Sequence, residues 1–230
     1  MSGNISQPRN RGYHSALRTS QAAETRLRIL DAAAERFAVA GYAGTSLADI
    51  ARAAGVSTET VKLGGPKRNL LLAAFEHSFA GTEGIDSLAE HHPVAEITAD
   101  TDSARYLAGI VHFVAESNRR SSRLWSTLLS AAAADTVLGN ELDGLQHRRR
   151  ADMLVLVDEL RNRHLVSAAL PREILADTVS FILSPEGYNQ LVLGARWSQP
   201  DYEAWLQRAV LLLGGDASAT GQPGKPHESR

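Results

Sequence analysis

The sequence predicts an all-helical protein, and three observations carry that reading. Ala and Leu dominate the 43% apolar content, and few β-branched runs alternate with the period of two that a half-buried strand needs. Apolar residues recur instead at three- and four-residue spacing along most of the chain. Gly, Pro and Ser then punctuate that pattern at helix-length intervals.

Residues 1–20, rich in Ser, Asn, Gln and Arg, predict a disordered basic arm carrying Arg9, Arg11 and Arg18. The first helix is expected from Gln21 to Ala40, with Leu27, Leu30, Ala34 and Phe37 on one apolar stripe and Gly41 as its stop. Ser46, with Asp49 three residues on, opens a second helix in the manner of a capping box, and Gly55 interrupts it after Ala54. Ser57 caps a third, Thr58 to Leu63, which Gly64-Gly65-Pro66 ends. Two short helices joined at a glycine and sharing Leu47, Ile50, Ala51, Val56 and Val61 describe a helix-turn-helix.

Beyond Pro66 the helices lengthen: Lys67–Ala80, Ser103–Ser117, Leu124–Ala134, Leu142–His164, Glu173–Leu183, Pro185–Ala195 and Asp201–Leu213. Gly81–Asp102 reads as a loop, and residues 214–230, full of Gly and Pro, as a disordered tail. The implied organisation is a head over residues 21–66 and a larger helical body over 67–213.

At 230 residues and 24.8 kDa the chain is long enough for a substantial core. No apolar run is long enough to cross a bilayer, and Met1 to Asn10 hold no signal-peptide core, so a cytoplasmic location is expected. Without cysteine there is no disulfide, no thiolate zinc site and no cysteine nucleophile. The net charge of -2 is unevenly spread: ten basic face five acidic residues through Leu70, fourteen face twenty-one beyond it. A basic head on an acidic body points to a polyanion partner for the head.

The stretch from Thr25 to Phe75 resembles the DNA-binding head of the TetR family of transcriptional regulators. The likeness runs through Phe37, Gly41-Tyr42, Thr45-Ser46-Leu47, Asp49-Ile50-Ala51, Ala54-Gly55-Val56-Ser57, Thr60-Val61 and Pro66-Lys67-Arg68. One departure stands out. The family's aromatic residue near the end of the recognition helix, and the polar-polar-aromatic run after it, are here Lys62, Leu63, Gly64 and Gly65. Lys62 keeps a phosphate partner as a point charge, whereas Gly65 removes packing against the following helix.

A short helix exposing Thr58, Glu59, Thr60 and Lys62 can enter the major groove, where hydroxyls and Lys62 meet base edges or phosphates and Glu59 accepts from a cytosine amino group. Thr45, Ser46, Ser57, Lys67 and Arg68 complete the expected DNA-binding set, the serines by capping helices whose free N–H groups face phosphates. The resemblance further implies a homodimer on a palindromic operator, repression, and release by a small molecule held among the central helices. Apolar stripes suited to the dimer are Ile174, Leu175, Val179 and Ile182, and Trp205, Leu206, Ala209, Val210 and Leu213. Tyr106, Ile110, His112, Phe113, Trp125, Phe181 and Tyr188 are the expected ligand-binding residues.

Two other readings remain beside this one. A regulator without an inducer would use its body only for dimerisation or a protein partner. An enzyme would need a convergent site, and no paired carboxylates, nucleophile elbow or phosphate loop is visible; Gly64-Gly65-Pro66-Lys67 lacks the Walker pattern. No catalytic residue, cofactor or metal is expected, since His91-His92 has no third ligand at a suitable spacing. Arg148-Arg149-Arg150 is expected on a solvated helix face.

Overall fold

Capping and burial in the computed structural model explain why these residues form the helices they do; residues 11–84, 86–88 and 91–214 are described. Ten α-helices follow one another among them: α1 (Arg11–Ala40), α2 (Leu47–Ala54), α3 (Thr58–Leu63), α4 (Lys67–Ala80), α5 (His92–Thr98), α6 (Ser103–Ala132), α7 (Thr136–Asn162), α8 (Arg172–Ile182), α9 (Pro185–Tyr188) and α10 (Gln199–Leu212). A π-helical turn, Asn189–Gly194, continues α9. No strand occurs among the described residues, as the sequence predicts.

The chain divides into two compact units. Of the described residues, the first holds those up to Gly84 together with Arg120–Asp143, and the second those between 86 and Arg119 and from Gly144 to Gly214. In the first, α1 packs on α2 and α4, and α2 on α3. Its buried side chains include Leu30, Ala33 and Phe37 of α1, Ile50 and Ala51 of α2, Val61 of α3, and Leu70, Leu71 and Phe75 of α4. The core of the second joins Tyr106, Val111 and Val114 of α6 to Val157 and Leu160 of α7, Leu175 and Val179 of α8, and Tyr202, Leu206 and Val210 of α10.

Four boundaries differ from the sequence expectation, each for a physical reason. Helix α1 starts at Arg11, ten residues ahead of Gln21, because no Pro falls between Arg11 and Ser20 and the one glycine there, Gly12, sits in the first turn; Arg9 and the tail from residue 215 lie outside the described residues. The expected loop after Gly81 contains α5, with Pro93 in its first turn and Val94 and Ile97 resting on the second unit's core. The two helices expected on either side of 118–123 are one, α6. That polar run contains no Gly or Pro, and its small members Ser117, Asn118, Ser121 and Ser122 are buried while Arg119 and Arg120 stay exposed. Helix α7 begins at Thr136 rather than Leu142, since Asp135 Oδ1 accepts from the N–H groups of Val137 and Leu138 at 3.0 and 3.1 Å.

Candidate nucleic-acid interface

The helix-turn-helix is built from local chemistry that can be followed atom by atom. The Asp49 N–H donates to the Ser46 hydroxyl at 3.1 Å, and the Ser46 N–H returns to Asp49 Oδ2 at 3.2 Å, closing a capping box. The bonds from Ser46, then Arg52 at 2.9 Å, hold the Asp49 carboxyl below the usual carboxylate range. Helix α2 ends at Gly55 with φ 67°, a left-handed cap that glycine adopts freely. Ser57 then caps α3 by accepting from the Thr60 N–H at 3.1 Å.

Of the residues expected to meet DNA, some are free to do so and some are committed elsewhere. Glu59 and Lys62 are exposed on α3, Thr58 is half-buried, and Ser46 and Ser57 are exposed at their caps. The Thr60 hydroxyl lies 2.9 Å from the Ser57 hydroxyl and belongs to the cap. Thr45 is buried, its hydroxyl within 2.8 Å of Gly41 O and 3.1 Å of Arg36 O, so it closes the end of α1. Lys67 donates to Tyr42 O and Thr45 O at 2.8 and 3.0 Å and sits 4.1 Å above the Tyr42 ring. Its charge fastens α4 to the turn before α2. Arg68 is half-buried beside Tyr42.

Within the Leu63-Gly64-Gly65 departure, Gly64 has a structural cause. Arg26 of α1 makes a bidentate pair with Glu83, 2.8 Å from Nε to Oε1 and 2.6 Å from Nη2 to Oε2. A Cβ at position 64 would lie 2.6 Å from Arg26 Nη1, so the guanidinium occupies the space a side chain would need. The hydrogen bond from Arg26 draws the Glu83 carboxyl below its ordinary value against a desolvation cost, and the Arg26 pKa is raised in return.

In the second unit a cavity of about 270 Å³ is lined on its apolar side by Tyr106, Ile110, Phe113, Met153 and Leu156, among others. Asp152, Asp158, Glu159, Thr98 and Asn162 supply its polar side, and no lining residue is basic. Asp158 is paired with Arg172 and Glu159 with Arg163 at 2.5 Å each. Asp152 accepts from the Ser87 hydroxyl and the Leu88 N–H at 2.8 and 3.0 Å. Arg163 also stacks 4.0 Å over the Tyr106 ring, and burial pushes the Tyr106 phenol up to about 12. Thus Tyr106, Ile110 and Phe113 of the expected ligand set meet in one cavity, and the other four do not. His112 is exposed and bonds Glu203 at 3.1 Å. Trp125 packs on Phe75 in the first unit, and Tyr188 lies edge-on to Tyr202 in the core. Phe181 is 78% exposed on α8. Apolar periodicity does not single out Asp152 or Glu159, whose polar side chains carry no such signal.

The expected dimer stripe is also divided. Leu175, Val179, Leu206 and Val210 are buried within the protomer and cannot form a surface, because α8 and α10 pack on each other through them. Ile182, Trp205, Ala209 and Leu213 are half-buried. Ile174 is 57% exposed on the same face of α8 as Phe181, seven residues on, and Leu212 is 79% exposed on α10. Arg149 is half-buried, against expectation, with Nη2 2.9 Å from Ser180 O; its desolvation lowers its pKa.

Residues 29–61 match the family model of the bacterial regulatory proteins of the tetR family. No curated protein matches the chain in sequence. Among solved structures, a protein of Rhodococcus sp. assigned to the TetR-family transcriptional regulators is similar with TM-score 0.65 and 20% identity, covering 84% of this chain and 100% of its own. The fatty acid degradation regulator FadR of Bacillus halodurans gives 0.63 at 17% identity, over 80% and 96% of the two chains. A transcriptional regulator from Saccharomonospora viridis, solved in complex with choline, gives 0.60 at 19% identity over 81% and 95%. At such identities the likeness is one of fold, and it covers most of the chain. The chain thus matches the tetR-family model in its helix-turn-helix region and shares, along most of its length, the fold of solved TetR-type regulators.

Proposed function

We propose that this protein is a homodimeric repressor that binds a palindromic operator and is released from it by a small-molecule ligand, acting in the cytoplasm. The observation that carries the reading is the capped helix-turn-helix, whose α3 leaves Glu59 and Lys62 exposed while the other polar groups brace the motif. Lys62 neutralises a phosphate or bonds guanine, and Glu59 accepts from a base amino group. One head binds weakly, so two heads related by a two-fold axis read two half-sites. The exposed Ile174, Phe181 and Leu212 favour α8 and α10 as the dimer surface.

The cavity favours a ligand-responsive regulator over one whose body serves dimerisation alone. Its apolar wall, with Asp158 and Glu159 already paired to arginines and Asp152 bonded by Ser87 and Leu88, suits a neutral or cationic ligand better than an anion. The choline held by the Saccharomonospora relative is a ligand of that kind in that protein. Occupancy then shifts the population toward a state whose heads fit the operator poorly.

Selection from a random duplex library, followed by affinity at several salt concentrations, tests the proposal. The expected result is an enriched inverted repeat whose binding weakens with Lys62→Ala and with added salt. Weak, sequence-blind binding would refute it. A ligand screen by thermal shift separates the ligand-responsive reading from its rival, because a bound ligand raises the melting temperature by mass action.

A further inference from the structure

The outward face of α3 is fixed by the single buried residue of that helix. Val61 is 1% exposed and defines the inward direction. At 100° per residue, positions two before and two after it lie 200° round, within about 20° of directly opposite. Those positions are Glu59 and Leu63, and Leu63 is 89% exposed, the most exposed large apolar side chain described. Thr58 and Thr60 lie to the sides; the first is half-buried and the second tied to Ser57. The row that faces away from the protein is therefore an acid and a leucine, flanked by Lys62.

We propose that Leu63 and Glu59 form the base-reading row of this head, Leu63 packing on the 5-methyl group of a thymine and Glu59 accepting from the amino group of a nearby cytosine. This rests on the DNA-binding reading above and adds to it the bases read. The major groove offers an apolar side chain one distinctive target, the thymine methyl, and offers a carboxylate the cytosine N4 amino group. Side chains four apart on a helix have Cβ atoms about 5–6 Å apart, and bases on one strand rise about 3.4 Å per step. The two contacts thus fall on base pairs one or two steps apart. The backbone that carries Leu63 ends at Gly64, beside which the Arg26 guanidinium, itself clamped by Glu83, is seated. A contact presented from a braced helix end loses little freedom on binding.

The test uses the full-length protein and the operator found by selection, with each thymine replaced singly by deoxyuridine, which lacks only the methyl group. Wild type is expected to lose about fourfold in affinity at one thymine per half-site, the worth of one buried methyl. Leu63→Ala should bind the thymine operator about fourfold more weakly and no longer distinguish thymine from uracil there. Glu59→Gln should keep that distinction while its cytosine preference moves toward adenine. An unchanged melting curve for Leu63→Ala, expected at so exposed a position, keeps folding out of the comparison. If wild type is indifferent to every replacement, or Leu63→Ala remains as sensitive as wild type, the inference is wrong. Failure of wild type to select any motif would instead defeat the DNA-binding proposal, and this one with it.

Discussion

At the scale of single residues, the head is held by a contact that no local pattern announces. Arg26 and Glu83 are 57 positions apart, and their pair closes over Gly64. Replacing Gly64 by Ala puts a methyl 2.6 Å from Arg26 Nη1 and must displace the guanidinium. Because the pair is partly exposed, the expected loss is modest, about 0.5–1 kcal/mol in urea unfolding. The same substitution made on Arg26→Ala should cost much less; equal costs in both backgrounds would mean that the guanidinium does not decide the glycine. Acid titrates the same pair. The folded Glu83 pKa lies below its ordinary 4.5, so the pair stabilises above that value and its contribution fades as pH falls through the depressed one. Glu83→Gln should therefore narrow its stability deficit relative to wild type as unfolding is followed from pH 6 to pH 3; a deficit that is constant over that range argues against the pair. The glycine at position 64, in place of a polar residue of the family's run, was legible in the sequence, but its cause was not, since it depends on a long-range pair.

At the scale of elements, legibility followed the locality of the signal. Helices α2 and α3 were read correctly, including their caps, because Ser46, Asp49, Gly55 and Ser57 act within three or four residues. Helix α6 reads as two helices in the sequence because its polar middle interrupts the apolar period. Its middle instead turns Ser117, Asn118, Ser121 and Ser122 inward, and Asn118 Nδ2 donates to Leu183 O and Ser184 O at 3.2 and 3.4 Å. Those carbonyls belong to the junction of α8 and α9, where Ser184 also caps α9 by accepting from the Gly187 N–H at 3.1 Å. Asn118 therefore supports a helix junction 65 residues away. Asn118→Ala leaves that buried junction short of a donor and is expected to destabilise the protein by about 1–3 kcal/mol, measured by chemical unfolding. A loss below a few tenths would show that the junction does not depend on it.

At the scale of the whole molecule, a dimer requires a surface that the protomer does not use for its own core. The sequence places one stripe on α8 and another on α10 without dividing inward from outward positions, and burial makes that division. Leu175 and Val179 are fully enclosed, whereas Ile174 and Phe181, seven residues apart on the same helical face, are exposed. The two classes should respond oppositely to charge. Ile174→Glu with Phe181→Glu puts two carboxylates on the free face and should leave far-ultraviolet dichroism and protomer packing intact. If each substituted position is worth about 2 kcal/mol to the dimer with both copies counted, association weakens by roughly a thousandfold, and sedimentation should find monomer where wild type is dimeric. Leu175→Glu buries a charge with no partner and should unfold the second unit instead. Binding to an inverted repeat should fall with the double variant far more than binding to one half-site, because only the former needs both heads. A double variant that still sediments as a dimer, or a wild type that is monomeric at micromolar concentration, would remove α8 from the interface.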